Sequence, residues 1–114
     1  MKDLTVLPEH LRAVAKTDGT DFAWPLDRAA EAIEALAGAG AVVLGVEAWI
    51  LDYEGVAAVV GWSSYDVSDR SSDWPGAVAR AKAEAQTLLA GILETAAAEQ
   101  INYVGIDWDC PPAA

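Results

Sequence analysis

The sequence has little of the chemistry on which most enzymes and metalloproteins depend. It contains one cysteine, Cys110, and one histidine, His10, among 114 residues. A single cysteine excludes an internal disulfide and a multi-cysteine metal site, and we expect Cys110 to be an exposed thiol near the C-terminus. His10 is expected on the surface of a short helix rather than as a general base. We therefore predict no catalytic residue, no metal and no cofactor.

Basic residues and long apolar runs are also scarce. Seven Lys and Arg stand against eighteen Asp and Glu, which gives a formal net charge of −11. Phosphate binding needs clustered basic side chains, so this balance argues against a nucleic-acid partner. The sequence has no run of eighteen apolar residues and no apolar block typical of a secretory signal at its start, so we expect a cytoplasmic protein without a membrane span. The acidity indicates either a solvated surface or a surface that attracts a basic partner.

The residues that are present suffice for one domain over residues 1–114, since 54% of them are hydrophobic. Residues 1–19 are predicted to form a lead-in segment with a short helix, and residues 110–114 a frayed tail. The stretch DFAW (21–24) is interpreted as a short edge strand, and Pro25 is expected to open a helix. Apolar residues recur at helical spacing after Pro25 and predict its buried stripe: Leu26, Ala29, Ile33 and Leu36.

The stretch VVLGVEAWILDYEGVAAVV (42–60) predicts a β-hairpin whose side chains alternate between two faces. One set is wholly apolar and is expected to contact the helices: Val42, Leu44, Val46, Ala48 and Ile50. Glu47 and Trp49 belong to the other set. An otherwise apolar strand therefore carries a carboxylate and an indole. Both lie on the face that we expect the helices to leave open.

The register of this hairpin depends on its turn. A two-residue turn at Glu54-Gly55 would pair Glu47 with Trp62 and Trp49 with Val60. One sheet face would then carry Glu47, Trp49, Tyr53 and Trp62. A three-residue turn would move Trp62 to the opposite face, because side chains alternate with a period of two. We favour the first register.

The second half of the sequence repeats the alternation of helix and strand. A polar loop, SSYDVSDRSSD (63–73), leads to a helix over residues 76–98 that Asp73 or Ser72 can cap, and INYVGIDW (101–108) predicts a last strand. The order is strand, helix, hairpin, helix, strand. We predict an α+β fold with two helices on one face of an antiparallel or mixed sheet of three to four strands, with a ferredoxin-like βαββαβ path as the leading topology.

Aromatic and acidic residues together indicate a binding surface. Five tryptophans in a chain of this length is a high density. Trp24 and Trp74 are interpreted as packing residues at helix entrances, whereas Trp49 and Trp62 fit core and interface equally well. Exposed rings beside carboxylates have the composition of an interface hot spot. The candidate partner-binding residues are Glu47, Trp49, Asp52, Tyr53, Trp62, Tyr65, Asp66, Asp69 and Asp107.

Residues 26–108 resemble small α+β immunity proteins of bacterial polymorphic toxin systems, and immunity protein family 40 in particular. The resemblance is carried by AGAVVLGVEAWILDYEGVAAVVGWSSYD, DWPGAVARAKAEA and YVGIDW. The positions that match the family pattern are Leu44-Gly45, Glu47, Trp62, Tyr65-Asp66 and Trp74. The sequence departs from that pattern at Val46, where a second glycine is common, and at Glu47, where aspartate is more usual.

This resemblance implies a protein without enzymatic activity that binds a cognate toxin domain and blocks it. We expect an acidic, aromatic face to dock on a basic active-site cleft. The main alternative is a small-molecule or peptide binding module that uses the open aromatic sheet face. An enzyme that uses Glu47 with Asp107 as an acid/base pair, and a structural subunit whose aromatic face is closed by a dimer partner, are further alternatives. The activity of the toxin and the oligomeric state stay open.

Overall fold

The computed structural model describes residues 3–52, 57–64 and 72–111, with the backbone alone for residues 57 and 59–64. A 3₁₀ turn at Leu4–Val6 precedes three α-helices and five strands. The helices are α1 (Glu9–Val14), α2 (Leu26–Gly38) and α3 (Trp74–Glu99). The strands are β1 (Lys16–Asp18), β2 (Asp21–Pro25), β3 (Val42–Leu51), β4 (Ala57–Ser64) and β5 (Tyr103–Asp109).

The strands form one sheet in the order β1-β2-β5-β3-β4, and every neighbouring pair is antiparallel. The predicted α+β class is confirmed, and the short strand β1 joins the four predicted strands. The ferredoxin-like path is not confirmed. That path would place β2 and β4 in the middle of the four predicted strands, whereas here β5 and β3 lie there.

The first hairpin lies partly in the segment that was expected to be a lead-in. Strand β1 pairs with β2 so that Asp18 lies opposite Asp21. Gly19 begins the turn between them with φ of +64°, a conformation that glycine adopts without steric cost. The prediction of a strand at 21–24 is therefore confirmed. The prediction that this strand lies at the edge of the sheet is wrong, because β1 pairs with it on that side.

Helices α2 and α3 pack on one face of the sheet, as predicted. Helix α2 starts after Pro25 and buries Ala29, Ala32, Ile33 and Leu36, which includes most of the predicted stripe. It ends before Gly40, which has φ of +83°. Five residues of α3 are buried, four of them alanines: Ala77, Ala81, Ala85, Leu89 and Ala96. Small side chains on this stripe let α3 lie close to β3.

The start of α3 is held by side chains on both sides of the helix terminus. The carboxylate of Asp73 accepts the N–H of Gly76 at 3.1 Å, so the predicted cap is confirmed at Asp73. The Trp74 indole N–H donates to the Gly40 carbonyl at 2.7 Å. Trp74 therefore ties the beginning of α3 to the loop between α2 and β3.

The register of β3 against β4 agrees with the prediction over only part of its length. Glu47 lies opposite Trp62, as expected. An irregularity between Ala48 and Trp49 then places Trp49 opposite Val59 instead of Val60. A bulge of this kind inserts one unpaired residue and increases the local twist. The predicted turn at 54–55 lies outside the described residues.

Two buried tryptophans lie in the middle of the core between the helices and the sheet. Trp24 and Trp108 have ring centroids 6.0 Å apart, and Phe22 contacts Trp108 from the side at 5.6 Å. The Trp24 N–H donates to the Leu11 carbonyl at 2.9 Å, which fixes α1 against β2. Trp108 is 1% exposed, and its N–H has no hydrogen-bond partner. The core thus depends on few large side chains among many alanines.

Candidate functional site

The sheet face opposite α2 and α3, called the outer face below, carries the candidate residues. Val104 and Ile106 of β5 lie in the helix-facing core. The Cα of Gly105, between them, faces the other side of the sheet and lies beneath the Trp49 ring. Antiparallel pairing places Glu47 beside Gly105, and Tyr103 beside Trp49. The prediction that Glu47 and Trp49 share the face without helices agrees with this register.

Trp49 is nevertheless only 1% exposed. Its indole covers the backbone of Gly105, where an added Cβ would lie 2.9 Å from Cε2 and closer still to Nε1. The indole N–H donates to Glu47 Oε2 at 2.9 Å. The expectation that Trp49 is exposed to a partner is therefore wrong. The alternation of β3 correctly assigned its face, but it did not show that the ring is buried against Gly105.

Glu47 is half-buried beside this ring. Because one of its carboxylate oxygens accepts the Trp49 N–H, Glu47 first of all orients an indole within its own chain. A charged acceptor strengthens such a hydrogen bond. The pair therefore places a carboxylate at the centre of the outer face.

Three further aspartates lie side by side at one end of the outer face. Asp18 lies opposite Asp21 across β1 and β2. Phe22 pairs with Ile106, so Asp21 and Asp107 occupy the next position along their strands. All three are exposed, and neighbouring strands lie about 4.8 Å apart. The pairing of distant segments thus builds one row of carboxylates, called the aspartate row below.

The described bases are distributed unevenly over the molecule. Five acids belong to the outer face by their strand positions: Asp18, Asp21, Glu47, Asp107 and Asp109. Lys16, opposite Ala23, is the one base described on that face. The other bases in the described ranges lie on the helices: Arg12, Arg28, Arg80 and Lys82. The three helices also carry seven acids, so acids outnumber bases on both sides of the sheet.

The remaining predicted residues are only partly described. Asp52 follows β3 and is exposed. The Asn102 side chain holds the end of β3, since it accepts the Leu51 N–H at 2.8 Å and donates to the Leu51 carbonyl at 2.7 Å. Trp62 has its backbone position opposite Glu47. Four predicted residues lie outside the described ranges: Tyr53, Tyr65, Asp66 and Asp69.

The sequence interpretation missed Asp18, Asp21 and Tyr103 as outer-face residues. Asp18 and Asp21 were missed because residues 1–19 were not expected to contain a strand. The signal was Gly19-Thr20 between two residues that pair across a hairpin. Tyr103, half-buried beside Trp49, lies on the outer face because β5 runs between β2 and β3. No local pattern predicts that strand order.

Residues outside the outer face offer no chemical site. Cys110, expected to be exposed, is half-buried and packs against the main core. His10 lies in α1 with its ring against Glu31 of α2. In residues 3–52, 57–64 and 72–111, no group of three or more His, Cys, Asp or Glu could hold a metal ion. None of the helices in these ranges combines the length and hydropathy needed to cross a bilayer.

Comparison of the chain with known proteins found no matching family model, no matching curated protein and no matching solved structure.

Proposed function

We propose that the protein is an immunity-type inhibitor that binds a basic protein partner, a toxin domain, through its outer face. The observation that supports this proposal is the aspartate row, three exposed carboxylates on three neighbouring strands. The resemblance of residues 26–108 to bacterial immunity proteins favours a toxin as the partner. The inhibitor acts by covering a positively charged active-site cleft.

The carboxylates of the outer face give this interaction a physical basis. Clustered charge of one sign steers an oppositely charged partner and raises the association rate about 10- to 1000-fold at low salt. On the outer face, five acids are described with one base, Lys16. A basic partner is therefore attracted to the outer face.

The buried position of Trp49 changes how the interface is built. Trp49 acts as a platform that keeps Glu47 in place, through the hydrogen bond of 2.9 Å between them. Tyr103, half-buried on the same face, has the partial exposure that a contacting aromatic ring requires. In this arrangement Tyr103 contacts the partner near Trp49, and the aspartate row contacts it at the other end of β5, about 13 Å away.

Co-expression tests the function directly. The products of the genes that neighbour the gene of this protein are screened for toxicity in bacterial cells, and a toxic product is then produced with and without the protein. We expect growth arrest with the toxin alone and normal growth when both are produced. Equal toxicity in the two cultures would contradict the proposal.

Charge reversal tests the surface. Asp18→Lys combined with Asp107→Lys should slow association with the purified toxin about tenfold or more and reduce its dependence on salt. The matched control is Glu84→Lys with Glu94→Lys, two exposed positions of α3 with the same change in net charge. Stopped-flow kinetics that show equal slowing by both double variants would place the interface elsewhere or assign the effect to net charge alone.

A further inference from the structure

Helix α3 exposes one long face on the side away from the sheet. Leu93, 44% exposed, lies on this face and is the one exposed large hydrophobic side chain in the part of the chain that the structure describes. Other exposed residues join Leu93 in a row whose steps alternate between four and three residues. We call this row the α3 seam: Ala79, Ala83, Gln86, Ala90, Leu93 and Ala97. Steps of four and three define the two heptad positions that face another helix.

The composition of the α3 seam suits close contact with a second helix. Three of its alanines lie seven residues apart, and small side chains at a contact allow two helix axes to approach to about 8 Å. In an antiparallel pair, Leu93 lies opposite Ala83 of the other helix, a large side chain against a small one. The amide of Gln86 donates to Glu34 of α2 at 2.9 Å, so the polar residue of the seam has a partner within its own chain.

The charges beside the seam are arranged so that the helix is complementary to itself. Arg80, Thr87 and Glu94 follow one flank of the seam at intervals of seven residues, and all three are exposed. Residues on such a flank form the ion pairs that set the orientation of two paired helices. When two copies of α3 run antiparallel with Thr87 beside Thr87, each Arg80 lies beside Glu94 of the other copy. Arg80 also lies 3.8 Å from Asp73 in its own chain, and the five N–H donors of a guanidinium can serve both carboxylates.

We propose that the α3 seam pairs with the α3 seam of a second copy, antiparallel, around a two-fold axis that passes between the two Thr87 residues. The same surface on both copies makes this an isologous interface. The self-complementary order of Arg80 and Glu94 identifies a second copy as the occupant, because opposite charges meet on both sides of the axis. The inference concerns assembly and does not depend on the proposed function.

The dimer is compatible with the outer face as a binding surface. Helix α3 packs on the sheet face opposite the outer face, so pairing through α3 places the two outer faces on opposite sides of the dimer. The contact extends from residue 79 to residue 97, about 27 Å along the helix. Two helices in contact over this length bury less surface than a standard interface, so we expect a weak dimer.

Sedimentation velocity over a range of protein concentrations tests the assembly, and a charge exchange tests the register. Arg80→Glu and Glu94→Arg should each raise the dissociation constant on the order of tenfold, because each places like charges together twice. The double variant restores both ion pairs and should regain the dissociation constant of the natural protein. A protein that remains monomeric up to millimolar concentration would overturn the proposal. A dimer that neither single variant weakens would overturn it as well.

A lysine variant separates the seam from general effects of charge. Ala90→Lys places a long charged side chain in the middle of the seam and should raise the dissociation constant tenfold or more. Ala98→Lys adds the same charge at an exposed position of α3 outside the seam and should leave the dissociation constant unchanged. Circular dichroism verifies that both variants fold. Equal dissociation constants for the two variants would contradict pairing through the α3 seam.

Discussion

Residue 105 decides how Trp49 packs. Gly105 has no side chain, so the indole rests directly on the strand and reaches Glu47 with its N–H. A ring that covers a glycine in a sheet shields the exposed backbone and replaces the packing that the glycine lacks. The outer face therefore depends on a pair in which the largest side chain lies against the smallest residue.

Gly105→Ala should destabilise the protein by about 1–3 kcal/mol, because the new methyl group overlaps the Trp49 ring and forces it away from the strand. Gly91→Ala is the control. A Cβ at residue 91 of α3 meets no atom within 4 Å, and alanine should stabilise the helix by about 1 kcal/mol. Urea unfolding followed by tryptophan fluorescence measures both changes. Equal stability of the two variants would show that the ring does not need the glycine.

Helices α1 and α2 both contribute to the main core, and an exposed cluster of polar side chains also joins them. His10 of α1 contacts the carboxylate of Glu31 in α2, and Arg28 donates to the same carboxylate at 3.2 Å. The hydrogen bond with His10 is the main cause that lowers the pKa of Glu31, and Arg28 contributes less. Helix α1 has only six residues, so such a contact matters for its position.

His10→Ala should raise the pKa of Glu31 towards its ordinary value, and Arg28→Ala should raise it by a smaller amount. A lowered pKa in the folded state stabilises the protein at pH values above the pKa of Glu31 in the unfolded chain. That stabilisation is lost as the pH falls through the lower folded pKa. NMR titration of the Glu31 carboxyl carbon measures the shift. An unchanged pKa in His10→Ala would contradict the assigned cause.

At the scale of the whole molecule, the net charge of −11 opposes compaction. Folding brings the carboxylates of the outer face together, and most of the described bases lie on the other side of the sheet. Repulsion of this kind destabilises a compact state and weakens as salt shortens the Debye length from about 30 Å at 0.01 M to about 8 Å at 0.15 M. Repulsion among the aspartates of the sheet therefore lowers the stability of the folded protein.

The melting temperature should therefore rise when sodium chloride is increased over this range. The rise should be smaller in Asp18→Asn with Asp107→Asn, which removes charge from the aspartate row. The control, Glu94→Gln with Glu99→Gln, removes the same charge from exposed positions of α3. Differential scanning calorimetry measures the rise in melting temperature for the natural protein and for the two double variants. A melting temperature that falls with salt would mean that favourable ion pairs outweigh the repulsion.

The sequence by itself determined the local features of this protein. Periodicity predicted α2 and α3, and residue types at their ends predicted Pro25 at the start of α2 and Asp73 as the cap of α3. Alternation in β3 correctly assigned Glu47 and Trp49 to the face without helices. Such signals depend on residues within a few positions of one another, so they are present before the chain folds.

Only the tertiary structure decided the strand order, the burial of Trp49 and the aspartate row. Each of these depends on pairing between segments that are distant in the chain: β5 between β2 and β3, Gly105 beneath Trp49, and Asp107 beside Asp21. Alternation shows which face a side chain takes, but it does not show which residue lies across the next strand. The character of the outer face therefore follows from long-range pairing, which no local pattern in the sequence records.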